Sequence, residues 1–172
     1  MEKPQADLIS MMGYLLLKAE RAGRDGYVLV PQLVCFQLDF FLQHKTKAIV
    51  IACNTASAVA FRRLRRDYDI PLFDVVSPSV EYSKNITKTR KIGVIGTYST
   101  IHSKAYTEMF KKLGSDCKIY EVPCPLFVPI IEEGWSDSSV AKEVAEIYLQ
   151  DFINSNIDTL ILGCTHYPIM AN

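Results

Sequence analysis

The feature that most constrains the fold is an apolar run that occurs three times and ends each time in small or polar residues. The runs span Lys47–Ala52, Lys91–Ile95 and Thr159–Leu162. The first two lead into stretches with helical periodicity, Ala56–Tyr68 and Thr100–Leu113. Continuous apolar strands that alternate with amphipathic helices are typical of a parallel sheet covered on both faces. The predicted fold class is therefore α/β.

Two more elements are predicted downstream, a strand at Lys118–Val122 and a helix from Ser138 to about Asn154. Either Ser136 or Ser138 can cap that helix by accepting backbone N–H bonds. Several apolar residues are spaced so that we expect them to share one helix face. These residues are Val140, Val144, Ile147, Tyr148 and Phe152.

Composition shifts divide the chain into an N-terminal segment and two small α/β domains. The predicted parts are residues 1–35, residues 36–80 with completion by about 157–172, and residues 90–156. The boundary between the domains is placed at Ser77-Pro78 and the polar run that follows. In the first part, Tyr27–Val30 can start a strand that Pro31 stops.

Charge and cysteine usage exclude several classes of protein. The 172 residues carry 19 basic and 19 acidic side chains, whereas electrostatic nucleic-acid binders show a basic excess. The arginine-rich stretch Arg62–Arg66 is interpreted as the solvated face of a helix. The apolar run Leu8–Leu17 is too short to span a bilayer. Five cysteines without a CxxC pair favour free thiols in a reducing cytoplasm.

Two of the cysteines directly follow predicted strands, where parallel sheets bind their ligands. Cys53 precedes Asn54 and Thr55, and Cys164 precedes Thr165 and His166. A thiolate at a helix N-terminus is stabilised by the helix dipole and backbone donors, so such a thiol can act as a base or a nucleophile. The other cysteines, Cys35, Cys117 and Cys124, fit core packing.

A zinc site is the competing explanation for these thiols. Structural zinc requires four ligands with short paired spacings, but only Cys164 and His166 lie close together in the sequence. We therefore expect no metal.

The chain resembles the glutamate racemase family of the aspartate/glutamate racemase superfamily in two motifs and in the order in which they occur. They are Ala52–Ser57 (ACNTAS) and Leu162–Pro168 (LGCTHYP). Ile92–Thr97 (IGVIGT) and Cys124–Gly134 (CPLFVPIIEEG) support the resemblance, which runs from about Phe36 to the end. It implies two doubly wound parallel-sheet units that face one cleft, the first of them incomplete.

The resemblance also implies an activity and a set of roles. One cysteine removes the α-proton of glutamate while the other delivers a proton from the opposite face, without a cofactor. The implied catalytic residues are Cys53, Cys164, His166 and Glu132. The implied substrate-binding residues are Asn54, Thr55, Thr97, Thr100 and Thr165. The product, D-glutamate, serves peptidoglycan synthesis, and a cytoplasmic homodimer is implied.

The sequence departs from the family pattern at both ends. The family opens with an Asp-Ser-Gly loop, which we do not find before Cys53, and it continues beyond the position of Asn172. We therefore expect weak or no activity from this chain as given. Two alternatives stay open: a racemase or isomerase of a related acid such as aspartate, and a non-catalytic fragment or binding protein.

Overall fold

A computed structural model describes residues 26–171 of the chain. In that part, the helices are α1 (Gly26–Leu42), α2 (Asn54–Asp67), α3 (Val76–Ile86), α4 (Tyr98–His102), α5 (Ala105–Lys112), α6 (Phe127–Glu132) and α7 (Ser139–Ile153), and a 3₁₀ helix spans Tyr167–Met170. The strands are β1 (Ile49–Val50), β2 (Leu72–Phe73), β3 (Lys91–Gly96), β4 (Lys118–Pro123) and β5 (Thr159–Gly163). The predicted run Leu8–Leu17 lies outside the described residues.

The strands form two small parallel sheets, which confirms the α/β fold class. One sheet pairs β1 with β2, and the other has the order β4-β3-β5. The central strand β3 is covered on both faces, since Ile92 and Val94 are fully buried and Ile95 is nearly so. Buried β-branched side chains on both faces are what a central parallel strand requires.

Strand β5 pairs with β3 along Ile92↔Thr159 to Gly96↔Gly163. The sequence analysis had assigned this region, about 157–172, to the first domain. Its strand instead belongs to the three-stranded sheet, because the apolar side of β5 packs with the core around β3. The domain boundaries themselves stay a prediction.

Helix α1 corrects the prediction of a strand at Tyr27–Val30 that Pro31 stops. The helix runs through Pro31, where the proline removes one helical hydrogen bond and its ring crowds the carbonyl four residues earlier. The buried residues Val30, Val34 and Leu38 recur every fourth position and pack against α2. Tertiary packing of this stripe therefore outweighs the proline.

The helix predicted at Thr100–Leu113 is divided into α4 and α5. At the break, the Ser103 hydroxyl donates to the Thr100 carbonyl and accepts from the Ala105 N–H. Such local side-chain bonds compete with the helical ladder. Lys104 then takes a left-handed conformation with φ 57°, and its ammonium pairs with Glu121 at 2.8 Å.

The helix predicted from Ser138 to about Asn154 is confirmed as α7, and the structure shows which of the two candidate serines caps it. Ser138 is the N-cap, and its hydroxyl accepts from the Ala141 N–H. The predicted apolar face is wrong for Val140 and Ile147, which are 44% and 71% exposed. The buried face is instead centred on Ala141 and Phe152.

The charged surface of α2 fits the sequence analysis. The arginines of α2 are exposed around the buried Leu64, which confirms the solvated face. Among residues 26–171, no helix combines the length and apolarity needed to cross a membrane.

Candidate functional site

The carboxyl ends of β3 and β5 lie side by side. Gly96 is paired with Gly163, so Thr97 and Cys164 leave the sheet as neighbours. The strands approach closely here, because a Cβ atom on Gly163 would lie 2.7 Å from the Ile95 carbonyl oxygen. A glycine before Cys164 therefore fixes where this cysteine leaves the sheet.

Cys53 lies at the start of α2, as the sequence predicts. It is the N-cap residue, with extended backbone angles, and its sulfur accepts a hydrogen bond from the Ala56 N–H at 3.4 Å. Cys53 is partly exposed. The N-terminus of α2 thus directs its backbone donors and the positive end of its dipole at this sulfur.

Three predicted threonines join the start of α2 to the end of β3. The Thr55 hydroxyl lies 2.9 Å from that of Thr97 and 3.1 Å from that of Thr100, and the last two are 3.0 Å apart. All three side chains are buried. Thr97 also caps α4 by accepting from the Thr100 N–H. This hydroxyl triangle brings the loop that carries Cys53 to the sheet edge that carries Cys164.

A second polar contact reaches the same loop. The Tyr106 hydroxyl donates to Oδ1 of Asn54 at 2.6 Å, and both residues are buried. The sequence analysis did not identify Tyr106. Its only signal is a tyrosine on the buried side of a helix that follows Thr97 and Thr100.

Cys164, His166 and Glu132 form a line of three groups. The Cys164 sulfur lies 3.8 Å from Nδ1 of His166, and Nε2 of the same ring lies 3.2 Å from a Glu132 oxygen. The side chains of His166 and Glu132 are 26% and 23% exposed. An imidazole that faces a thiol with one nitrogen and a carboxylate with the other can move a proton between them.

The surroundings of Cys164 are mixed. It is 5% exposed and packs in an apolar cluster that includes Ile95 and Phe127, while its sulfur faces the imidazole. The remaining predicted residue, Thr165, is exposed next to it. Within residues 26–171, no three histidine, cysteine or carboxylate side chains are grouped to hold a metal ion.

Comparison with known proteins gives one consistent result. Residues 18–172 match the family described as Asp/Glu/Hydantoin racemase. Glutamate racemase from Sulfurihydrogenibium sp. is 52% identical over 129 residues, covering 75% of this chain and 50% of that protein. The glutamate racemase of Aquifex aeolicus is 48% identical over 131 residues, covering 76% and 50%. The chain thus spans about half the length of the curated relatives it matches.

Solved structures of the same kind superpose closely. A glutamate racemase isoform from Bacillus anthracis gives a TM-score of 0.81 at 34% identity, covering 87% of this chain and 56% of that one. The enzyme of Francisella tularensis, in complex with D-glutamate, gives 0.80 at 37% identity over the same shares.

Proposed function

Because this chain belongs to the Asp/Glu/hydantoin racemase family, we propose that it interconverts L- and D-glutamate by proton transfer at Cα, without a cofactor. The choice of glutamate is supported by the names of its relatives and by the D-glutamate bound to the Francisella tularensis enzyme. The role in peptidoglycan synthesis, the cytoplasmic location and the homodimer belong to the same proposal.

Cys53 and Cys164 are the two bases of this reaction. Inversion of a carbon centre by proton transfer requires a base on one face and an acid on the other. One thiolate takes the Cα proton as the other thiol donates its proton to the opposite face, and the roles reverse for the other enantiomer. The position of the Cys53 sulfur at the N-terminus of α2 supports this, since the helix dipole stabilises a thiolate there.

The observation that carries the proposal is the line from Cys164 through His166 to Glu132. This line gives Cys164 a partner for proton transfer. The hydroxyl triangle connects the edge of the sheet where Cys164 lies to the loop that carries Cys53. In the proposed reaction, His166 receives the Cys164 proton or returns it, and Glu132 stabilises the imidazolium.

The polar side chains between these thiols would hold the substrate. Asn54 and Thr55 follow one cysteine and Thr165 follows the other, so their amide and hydroxyl groups suit the α-amino and α-carboxylate groups. Thr97 and Thr100 would line the same cleft. Hydrogen bonds from such donors to a carboxylate are stronger than those between neutral groups.

The test is exchange of the Cα proton in D₂O, which detects even slow turnover. The purified 172-residue chain is incubated with L-glutamate, and deuterium incorporation and D-glutamate are measured by mass spectrometry and chiral chromatography. We expect Cys53→Ala and Cys164→Ala each to lower racemisation by about a thousandfold or more, because either loss removes half of the acid–base pair. Cys117→Ser, which alters a partly buried thiol outside the site, should leave the rate unchanged.

Two results would contradict the proposal. One is racemisation at the wild-type rate in either alanine variant. The other is no exchange above the buffer rate in the unmodified chain, from which we expect weak activity, and this result would support the non-catalytic fragment instead. The same assay with L-aspartate checks the substrate, since faster exchange with aspartate would assign the chain to that acid instead.

A further inference from the structure

Tyr106 contacts the loops of both cysteines. Its hydroxyl donates to Asn54, the residue after Cys53. A Cβ atom on Gly163, the residue before Cys164, would lie 3.4 Å from the Tyr106 ring and 3.5 Å from its hydroxyl oxygen. The side chain is completely buried. One fully enclosed phenol thus bonds to the residue after one thiol and lies close to the residue before the other.

The bond to Asn54 fixes which atoms that amide offers to a ligand. An asparagine side chain has one acceptor oxygen and an NH₂ group with two donors. Because Oδ1 accepts from Tyr106 at 2.6 Å, Nδ2 occupies the other arm of the planar amide group. Its N–H groups are then directed away from Tyr106, where they can donate to a carboxylate oxygen.

The phenol stays a donor over the working pH range. Burial raises the pKa of Tyr106 well above its ordinary value, and the negative charges of Asp74 and Cys164 raise it further. A buried phenol of this kind keeps its proton, so it does not compete with the thiols as a base.

We propose that Tyr106 is a positioning residue for proton transfer: its hydroxyl holds the Asn54 amide with the N–H donors towards the substrate carboxylate, and so aligns Cα between the two thiols. This inference rests on the proposed racemase function. Tyr106 acts through Asn54 and does not itself touch the reacting atoms.

The test is a double-mutant cycle in the full chain with Tyr106→Phe and Asn54→Ala. Tyr106→Phe removes one oxygen and keeps the ring. We expect kcat/KM for Cα exchange to fall about tenfold in Tyr106→Phe, the effect of about 1.4 kcal/mol. Because the two residues act as a unit, the double variant should match Asn54→Ala within about twofold. An unchanged rate in Tyr106→Phe, or multiplied losses in the double variant, overturns the proposal.

A matched control is available in Tyr68→Phe, which also removes a tyrosine hydroxyl. The Tyr68 hydroxyl donates to Asp39 on α1, outside the site. Its loss should leave kcat/KM unchanged, and an equal fall in both variants would mean that the effect is one of general stability and would overturn the positioning role.

An activity-free measurement separates this proposal from the proposed function. The side-chain ¹⁵N–H₂ resonances of Asn54, assigned through Asn54→Ala, should shift in Tyr106→Phe and stay in place in Tyr68→Phe. Unshifted resonances overturn the positioning role even if the chain racemises glutamate. If the Asn54 resonances shift in Tyr106→Phe but the unmodified chain shows no Cα exchange, the Tyr106–Asn54 contact is supported and the proposed racemase function is contradicted.

If Tyr106→Phe does not fold, Asn54→Asp is the variant used in its place. The aspartate can still accept from Tyr106 but offers no N–H donor. A loss of kcat/KM as large as that of Asn54→Ala is expected, and wild-type kcat/KM in Asn54→Asp would overturn the proposal.

Discussion

The thiols of Cys124 and Cys164 follow the two outer strands of the three-stranded sheet, β4 and β5, but have different surroundings. Cys124 is completely buried, and its S–H donates to the Val122 carbonyl at 3.7 Å. Burial raises the pKa of this thiol to about 12. Cys164 instead has an imidazole nitrogen 3.8 Å from its sulfur. Of these two thiols, only Cys164 has a group at hand that can accept its proton.

We predict that Cys124 is the slowest of the described cysteines to react with iodoacetamide at pH 8. Only the thiolate reacts, and a pKa of about 12 leaves on the order of a thousandfold less thiolate than in an ordinary cysteine. Peptide mass spectrometry after timed alkylation gives each rate. In urea the rates should become similar, and a Cys124 rate equal to that of Cys117 in the folded protein would contradict the prediction.

The candidate site residues were predictable where sequence strings carried them, and their catalytic roles stay a prediction. The two cysteine motifs pointed to Cys53 and Cys164, and the structure brings Thr55 together with Thr97 and Thr100. Tyr106 was not predictable, because its contact with Asn54 joins residues 52 positions apart. Neither residue's neighbours in the sequence signal that pairing.

At the scale of elements, helix ends depend on single side chains. The N-terminus of α7 is held by the Ser138 hydroxyl, which accepts from the Ala141 N–H at 3.1 Å and donates to the Trp135 carbonyl at 2.7 Å. An N-cap side chain satisfies a backbone donor that otherwise lacks a partner within the helix.

Ser138→Ala should lower the free energy of unfolding by about 1 kcal/mol, because the capping bond is lost. Urea denaturation followed by circular dichroism measures the change. Ser136→Ala is the matched control: it alters the other cap candidate in the sequence, and its effect should stay within about 0.5 kcal/mol. Equal losses in the two variants would argue against Ser138 as the cap.

Elements were predictable where periodicity dominates and were missed where local chemistry or packing overrides it. The regular pattern of α7 was sufficient to predict that helix. The break between α4 and α5 depends on the Ser103 hydroxyl and the left-handed Lys104, which periodicity does not register. The continuation of α1 through Pro31 depends on packing against α2, a contact distant in sequence.

At the scale of the whole molecule, Asp158 connects the segment that precedes β3 with the start of β5. Its carboxylate accepts from the Thr87 hydroxyl, from the N–H groups of Lys88 and Thr89, and from the Thr159 hydroxyl. These bonds, with that from Thr87 the strongest, hold the pKa of Asp158 far below its usual range. The charged carboxylate is therefore the form that fits the fold.

This arrangement predicts how stability depends on pH. The pKa of Asp158 is lower in the folded than in the unfolded chain, so its contribution is complete above about pH 4 and is lost as the pH falls further. Asp158→Asn should therefore lower the urea midpoint at pH 7, and the difference from wild type should shrink below pH 4.

A second exposed carboxylate provides the comparison. Asp116 pairs with Arg90 at 2.6 Å on the surface, where such pairs contribute little. Asp116→Asn should change the midpoint only slightly at either pH. An Asp158→Asn effect that persists unchanged at pH 3 would contradict the assigned cause.

The sheet arrangement was predictable only in part. Repeated apolar runs indicated parallel strands, and the structure has two parallel sheets. The sheet that each strand joins is decided by pairing between strands far apart in the chain, so the apolar pattern of β5 did not indicate that it pairs with β3. Strand patterns record burial on both faces but not the identity of the neighbour.

The closed triangle formed by Thr55, Thr97 and Thr100 has a consequence for selectivity. Three hydroxyls carry three protons, so around the ring each can give one hydrogen bond and receive one. The three hydroxyls thus satisfy one another's hydrogen bonds. A ligand that accepts a hydrogen bond from one of them must displace a neutral hydroxyl oxygen. The carboxylate of the proposed substrate would accept more strongly than a neutral oxygen, so we expect an ester or amide analogue of the same shape to bind more weakly.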